Sequence, residues 1–199
     1  MTRRVTGFHV DFPDEKWASW KPGNGISVVA AELASACADG VAAQALVRRS
    51  VTALNAEAIQ KGAVVVHEAI WVPDRSTGEV MAVMDVGIRG FPQRGEVSAN
   101  VYSNRNVKKE IGRAGKVLDH AVHVSEVSAG PMAVESMVVR LRGERTIQGY
   151  LYFLVFPEGL RQAFVLQFNT VHLNLMNEIA AQGRIIAESV TLTVGDAPE

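Results

Sequence analysis

Cysteine is almost missing from this chain. Cys37 stands alone among 199 residues, so no internal disulfide forms and no multi-cysteine zinc or iron–sulfur site assembles. Neither charge sign dominates: 20 Lys and Arg face 21 Asp and Glu, a net charge of −1. That balance argues against a surface built throughout to grip nucleic acid or anionic lipid. Long apolar runs are missing too. The longest, Tyr150 to Phe156, is strand-sized and far short of the ~20 residues that span a bilayer. Arg3 and Arg4 imitate the basic start of a signal peptide, but His9 and Asp11 interrupt the apolar run that would have to follow. The expectation is a cytoplasmic protein with a reduced thiol and no membrane insertion. No repeat, low-complexity segment or interdomain linker is visible, and 199 residues suit a single domain spanning 1–199.

Chemical motifs are equally sparse. Gly23-Asn24-Gly25 lacks the third glycine of a dinucleotide fingerprint and precedes no phosphate-binding lysine. The nucleophile elbow of the α/β-hydrolases is absent, and His67-Glu68 lacks the second histidine of a metalloprotease helix.

What is present is a readable order of elements. Val5 to Phe12 alternates as a strand, and Asp14 to Gly25 reads as irregular. Ile26 to Ala38 predicts a short helix, and Val41 to Lys61 a longer one, with Val47, Val51, Leu54 and Ala58 on one face and Asn55 outside it. Asp39 is placed to cap the second helix and Gly62 to end it in a left-handed conformation. Ala63 to Val72 reads as a strand covered on both sides, joined through the turn cluster Pro73 to Gly78 to an alternating strand from Glu79 to Arg89. Gly90 to Gly115 is irregular and basic. Lys116 to Ser125, Met132 to Arg142, Ile147 to Phe156 and Gln162 to Asn169 predict a meander, because their connections are too short for crossovers. His172 to Val190 predicts a closing helix whose stripe is Leu173, Met176, Ala180, Gly183, Ala187 and Val190, with Thr170 or Asn174 as its cap. Thr191 to Val194 suits a last short strand, with a frayed tail from Gly195. The fold class is therefore α+β, an antiparallel meander packed between helices.

The stretches Val138 to Gly159, Ala163 to Thr170 and Asn174 to Leu192 resemble the PsbP-like superfamily, and the earlier order of helix, Gly62, strand, turn and strand resembles its small bacterial members. The similarity covers roughly Gly40 to Val194. That superfamily includes an extrinsic photosystem II subunit and a Ran-binding nuclear import cofactor. The resemblance implies a protein that docks onto another macromolecule. It carries no catalytic motif, so no site residue follows from it.

His120 and His123, with Asp119 and Glu126 nearby, invite a metal; on a strand a spacing of three puts the histidines on opposite faces, so no metal site is assigned. His67 reads as a hydrogen-bonded core histidine, since its neighbour Glu68 would point the other way. Cys37 reads as a small buried hydrophobe. Asp11, Asp14 and Glu15 lie near Trp17 and Trp20, which are either tucked against the core or exposed as aromatic anchors for a partner. Arg105, Lys108, Lys109 and Arg113, opposed only by Glu110, form the sharpest electrostatic feature, either a solvated loop or a docking patch. The reading is a non-enzymatic adaptor that docks onto a protein partner through Trp17, Trp20, Arg105, Lys108, Lys109 and Arg113. It needs no cofactor and no catalytic residue, and nucleic acid is not its expected partner. The competing reading is a small-ligand-binding protein or an enzyme with a site assembled from scattered residues such as His67 or His120. Self-association through an exposed strand edge is a third option.

Overall fold

Small side chains between Ile26 and Ala58 set the first part of the fold. The computed structural model describes residues 3–62, 65–91, 97–104 and 115–196. It forms two compact units, Phe12–Gly87 and Met1–Asp11 with Ile88–Glu199.

In the Phe12–Gly87 unit, helices α1 (Ile26–Cys37) and α2 (Gly40–Lys61) pack on three antiparallel strands, β2 (Trp17–Trp20), β3 (Val65–Trp71) and β4 (Ala82–Gly90), in that order. The strand β1 (Arg3–His9) belongs to the other unit. Ala30, Ala34, Cys37, Ala43, Val47 and Val51 from the helices meet Ala18, Trp20, Ile70 and Val72. Alanine at these positions brings the helix backbones close. Gly78 is needed in the β3–β4 connection: it takes φ 66°, and a Cβ there would strike the Ala43 carbonyl.

The segment expected to be irregular contains β2. Trp17 pairs with Trp71 and Trp20 with Glu68, so the four residues Trp-Ala-Ser-Trp alternate between the two faces of the sheet. Two local expectations also change. Asp39 precedes α2, but its side chain caps nothing; Oδ1 instead accepts from Nε and Nη2 of Arg75 at 3.3 Å each. Asn55, outside the apolar stripe of α2, is nevertheless only 3% exposed. Its amide clamps Gly23 in both directions, accepting from the Gly23 N–H at 2.9 Å and donating to the Gly23 carbonyl at 3.1 Å. Burial is tolerated because both amide ends are satisfied. Gly62 has the expected positive φ of 69°, although its ψ of −154° lies outside the left-handed helical well.

In the other unit, β5 (Gly115–Val127), β6 (Gly130–Leu141), β7 (Ile147–Val155) and β8 (Gln162–Thr170) form the expected antiparallel meander. The short helix α3 (Ala99–Ser103) packs on one face, with Ala99 and Tyr102 against Ala133, Leu154 and Phe156. The closing helix α4 (Met176–Ser189) packs on the other. It follows a 3-10 turn at Leu173–Leu175, so the regular helix starts later than expected, and no side chain caps it. The Thr170 hydroxyl instead accepts from the His172 N–H at 2.9 Å. Ile179, Gly183, Ile186 and Ala187 are the helix's buried face. Gly183 permits the contact, because a Cβ there would lie 2.6 Å from the Phe153 ring. β9 (Thr191–Asp196) then pairs with β1, from Arg3 opposite Asp196 to His9 opposite Thr191. The Val5 N–H donates to Gln162 Oε1 at 2.8 Å, and Phe8 lies 5.1 Å from Phe164 between ring centroids. The fold class is α+β. No described helix is long and apolar enough to cross a membrane.

Candidate functional site

The predicted stripe does not seal the sheet at the 3-10 turn and the first turn of α4. Leu173 remains 36% exposed, and Met176 and Ala180 are only half-buried, whereas Ile179 and Ile186 do the sealing. Beneath that first turn lies a cavity of about 380 Å³. Asp119 and His123 of β5, Ser136 of β6, Leu151 of β7 and Asn177 of α4 line it together with Leu173 and Met176. Register explains the set. Asp119 opposes Val138, Ala121 opposes Ser136 and His123 opposes Val134, so these residues share the α4 face of the sheet. Gly149 of β7 lets the chain approach, since a Cβ there would strike the Met176 sulfur. Asp119 and His123 are four residues apart on one strand, about 13 Å at the usual rise. Polar groups thus ring an apolar floor without converging on a single point.

His120 points to the opposite face, as strand alternation requires, so it shares no ion with His123. Its Nε2 lies 2.8 Å from Glu135 Oε1, and the Tyr102 hydroxyl donates to Glu135 Oε2 at 2.8 Å. Glu135 is 1% exposed. Neither Glu135 nor Tyr102 stood out in the sequence. A carboxylate midway along an apolar strand was the available signal, and its partners lie 15 and 33 residues away.

A second buried acid is Glu68, fully buried on β3. It faces Asp85 on β4 and Trp20 on β2. Lys61, from the last turn of α2, donates to Asp85 Oδ2 at 3.0 Å. Both Glu68 oxygens and Asp85 Oδ1 are buried without a hydrogen-bond partner. Two ionised carboxylates can only accept, so they repel; a proton on Glu68 supplies the missing donor. Burial, helped by the Asp85 charge, pushes the Glu68 carboxyl from 4.5 up to about 7. Lys61 is raised: burial works to lower it, but the Asp85 hydrogen bond and charge outweigh that. His67 is lowered by burial and by Lys21. Burial also raises the Cys37 thiol, and Cys37 sits in the α1–α2 core as a small hydrophobe.

The proposed aromatic anchors change place. Trp17 and Trp20 are 7% and 3% exposed, so neither offers area to a partner. Trp17 packs between Phe12 and Trp71, at centroid distances of 5.9 and 6.3 Å. Trp20 joins the helix-covered core. The cause is β2: pairing with β3 commits both indoles to the sheet. Arg105, Lys108, Lys109 and Arg113 lie outside the described residues.

Comparison with known proteins places little beside this chain. No family model matches it, and no curated protein does. Among solved structures, it is similar to the solution structure of cyanobacterial PsbP (CyanoP) from Synechocystis sp. PCC 6803. Identity is 9%, the TM-score is 0.46, and the match covers 96% of this chain and 92% of the other.

Proposed function

We propose that this chain is a non-enzymatic binding protein that docks onto a protein partner, using the cavity under the first turn of α4 to take one of the partner's side chains. The cavity carries the reading. At about 380 Å³ it sits near the small end of ligand sites. Its rim offers exposed apolar surface at Leu173, 36% accessible. Its polar groups are spread around the mouth, which suits hydrogen bonding to a docked segment better than general acid–base chemistry at one atom. Arg105, Lys108, Lys109 and Arg113 would steer the encounter.

Photo-crosslinking in the cells that make the protein tests this. A crosslinking residue at Leu173 should yield one discrete protein adduct. The same residue at the exposed Val28 should not. Filling the cavity with Ala180→Phe should remove the adduct, and replacing the four basic residues by Ser should weaken it while leaving thermal stability nearly unchanged. No adduct at Leu173 beyond the Val28 background overturns the reading. A small molecule released from the purified protein in native mass spectrometry, and lost in Ala180→Phe, favours the small-ligand reading instead.

A further inference from the structure

Lys116 and Arg140 stand directly opposite each other across β5 and β6. Like charges in that relation destabilise a sheet. Both are exposed, and with Arg142 they line an open cleft of about 420 Å³ beside the turn at Gly143. Among the described residues no carboxylate forms an ion pair with any of the three. The one acid in the cleft, Glu144, is engaged at Oε2 by the Gln148 amide at 3.0 Å. The like-charge pair is therefore a local cost to the fold that no ion pair among the described residues offsets.

Its position continues the cavity. Arg140 is two residues from Val138 on β6, so the two share a face, and Val138 and Asp119 line the cavity. One strand repeat of two residues is about 7 Å. Cavity and cleft thus form one surface along the β5–β6 hairpin, an apolar floor with a polar rim that includes Asp119 at one end and a cationic cleft at the other. We infer that this surface binds an acidic protein segment, whose apolar side chain enters the cavity while its carboxylates meet Lys116, Arg140 and Arg142. The inference rests on the docking function proposed above and names the chemistry of the partner. A protein segment fits better than nucleic acid on two counts. The cleft lining holds no aromatic ring for base stacking, and the whole chain carries a net charge of −1.

The test uses the full chain and three probes: a hexaglutamate peptide ending in leucine, inorganic phosphate and a single-stranded oligonucleotide. The peptide should bind with an affinity that falls as salt rises. The Lys116→Ser/Arg140→Ser variant should lose about tenfold or more in that affinity, while its thermal stability stays level or rises because a like-charge pair has been removed. Arg48→Ser/Arg49→Ser, which removes equal charge from the exposed side of α2, should bind the peptide as the parent does. Equal loss in both variants means general charge attraction and overturns the site. Tighter binding of the oligonucleotide than of the peptide overturns the protein-segment assignment, as does phosphate competing at equal concentration. If the Leu173 adduct survives in Lys116→Ser/Arg140→Ser, the docking function stands and this inference falls. If no adduct forms in the parent, the docking function itself falls.

Discussion

Glu68→Gln isolates a single buried proton. Glutamine keeps the shape of the protonated acid and its ability to donate toward Asp85, but it cannot ionise. In the parent, the carboxyl moves from 4.5 to about 7 on folding, first because burial penalises the anion and then because Asp85 faces it. The folded state therefore holds a proton that the unfolded state has already released between those two values. Stability is highest below about pH 4.5 in this contribution and falls as pH rises, levelling off above about pH 7. That rise corresponds to about 3 kcal/mol. For a chain of this length that is about 10 °C in melting temperature. Other groups titrate as well: Asp74, lowered by hydrogen bonds from Ser76, has the opposite sign at more acidic pH. Lys61, raised by Asp85, contributes stability that is lost only at alkaline pH. The difference between parent and Glu68→Gln cancels both. Urea unfolding at steps from about pH 5 to about pH 8 should show the parent losing stability relative to the variant; His67, lowered by burial and Lys21, works in the opposite direction in both and cancels in the difference. In the infrared, a protonated-carboxyl band should be present in the parent at about pH 5, fade toward about pH 8, and be missing in the variant. A variant that keeps the parent's slope refutes the assignment of that proton to Glu68.

Other perturbations test the packing directly. Gly183→Val should destabilise by about 1–3 kcal/mol through collision with the Phe153 ring, measured by chemical denaturation. Phe164→Ala, at a fully buried position on β8, should cost about 3–5 kcal/mol. Asn55→Ala should cost about 1–3 kcal/mol, because it leaves the Gly23 N–H and carbonyl without their partners. Tyr102→Phe should loosen His120, read as shifted and broadened His120 ring resonances by NMR, because Glu135 loses the hydroxyl that fixes its second oxygen.

Most of the scaffold was legible because periodicity reports burial. α2, the β3–β4 hairpin and the β5–β8 meander follow from apolar spacing and turn residues alone. Four residues mark where that signal stops. Asn55 and Glu68 are polar side chains in buried rows, and a hydrophobicity pattern assigns such residues outward. Trp17 and Trp20 sat between Pro13 and Pro22 in a stretch without visible period, and only pairing with β3 fixes them. The Glu68–Asp85 pairing was within reach. Trp71 opposes Ala82 and Glu68 opposes Asp85, so the hairpin is symmetric about Ser76–Thr77, inside the turn cluster read from the sequence. The cavity was not within reach. It depends on the chain leaving β8 as a 3-10 turn, which delays α4 to Met176 and leaves Leu173 at the rim.

The residues that break the hydrophobic pattern fall into two kinds, and the separation bears on function. Asn55, Glu68 and Glu135 are buried polar groups held by other parts of the chain or, for Glu68, by its own proton. Their cost is met inside the molecule. Leu173 with its cavity and Lys116 with Arg140 are different: apolar surface left in water and like charges left opposed. Nothing in the described residues offsets either one. Both lie on the same hairpin face, one strand repeat apart, while α4 seals the sheet farther along with Ile179 and Ile186. A sequence that satisfies its buried acids yet leaves these two features uncompensated along one face places its unspent interactions where a partner can reach them.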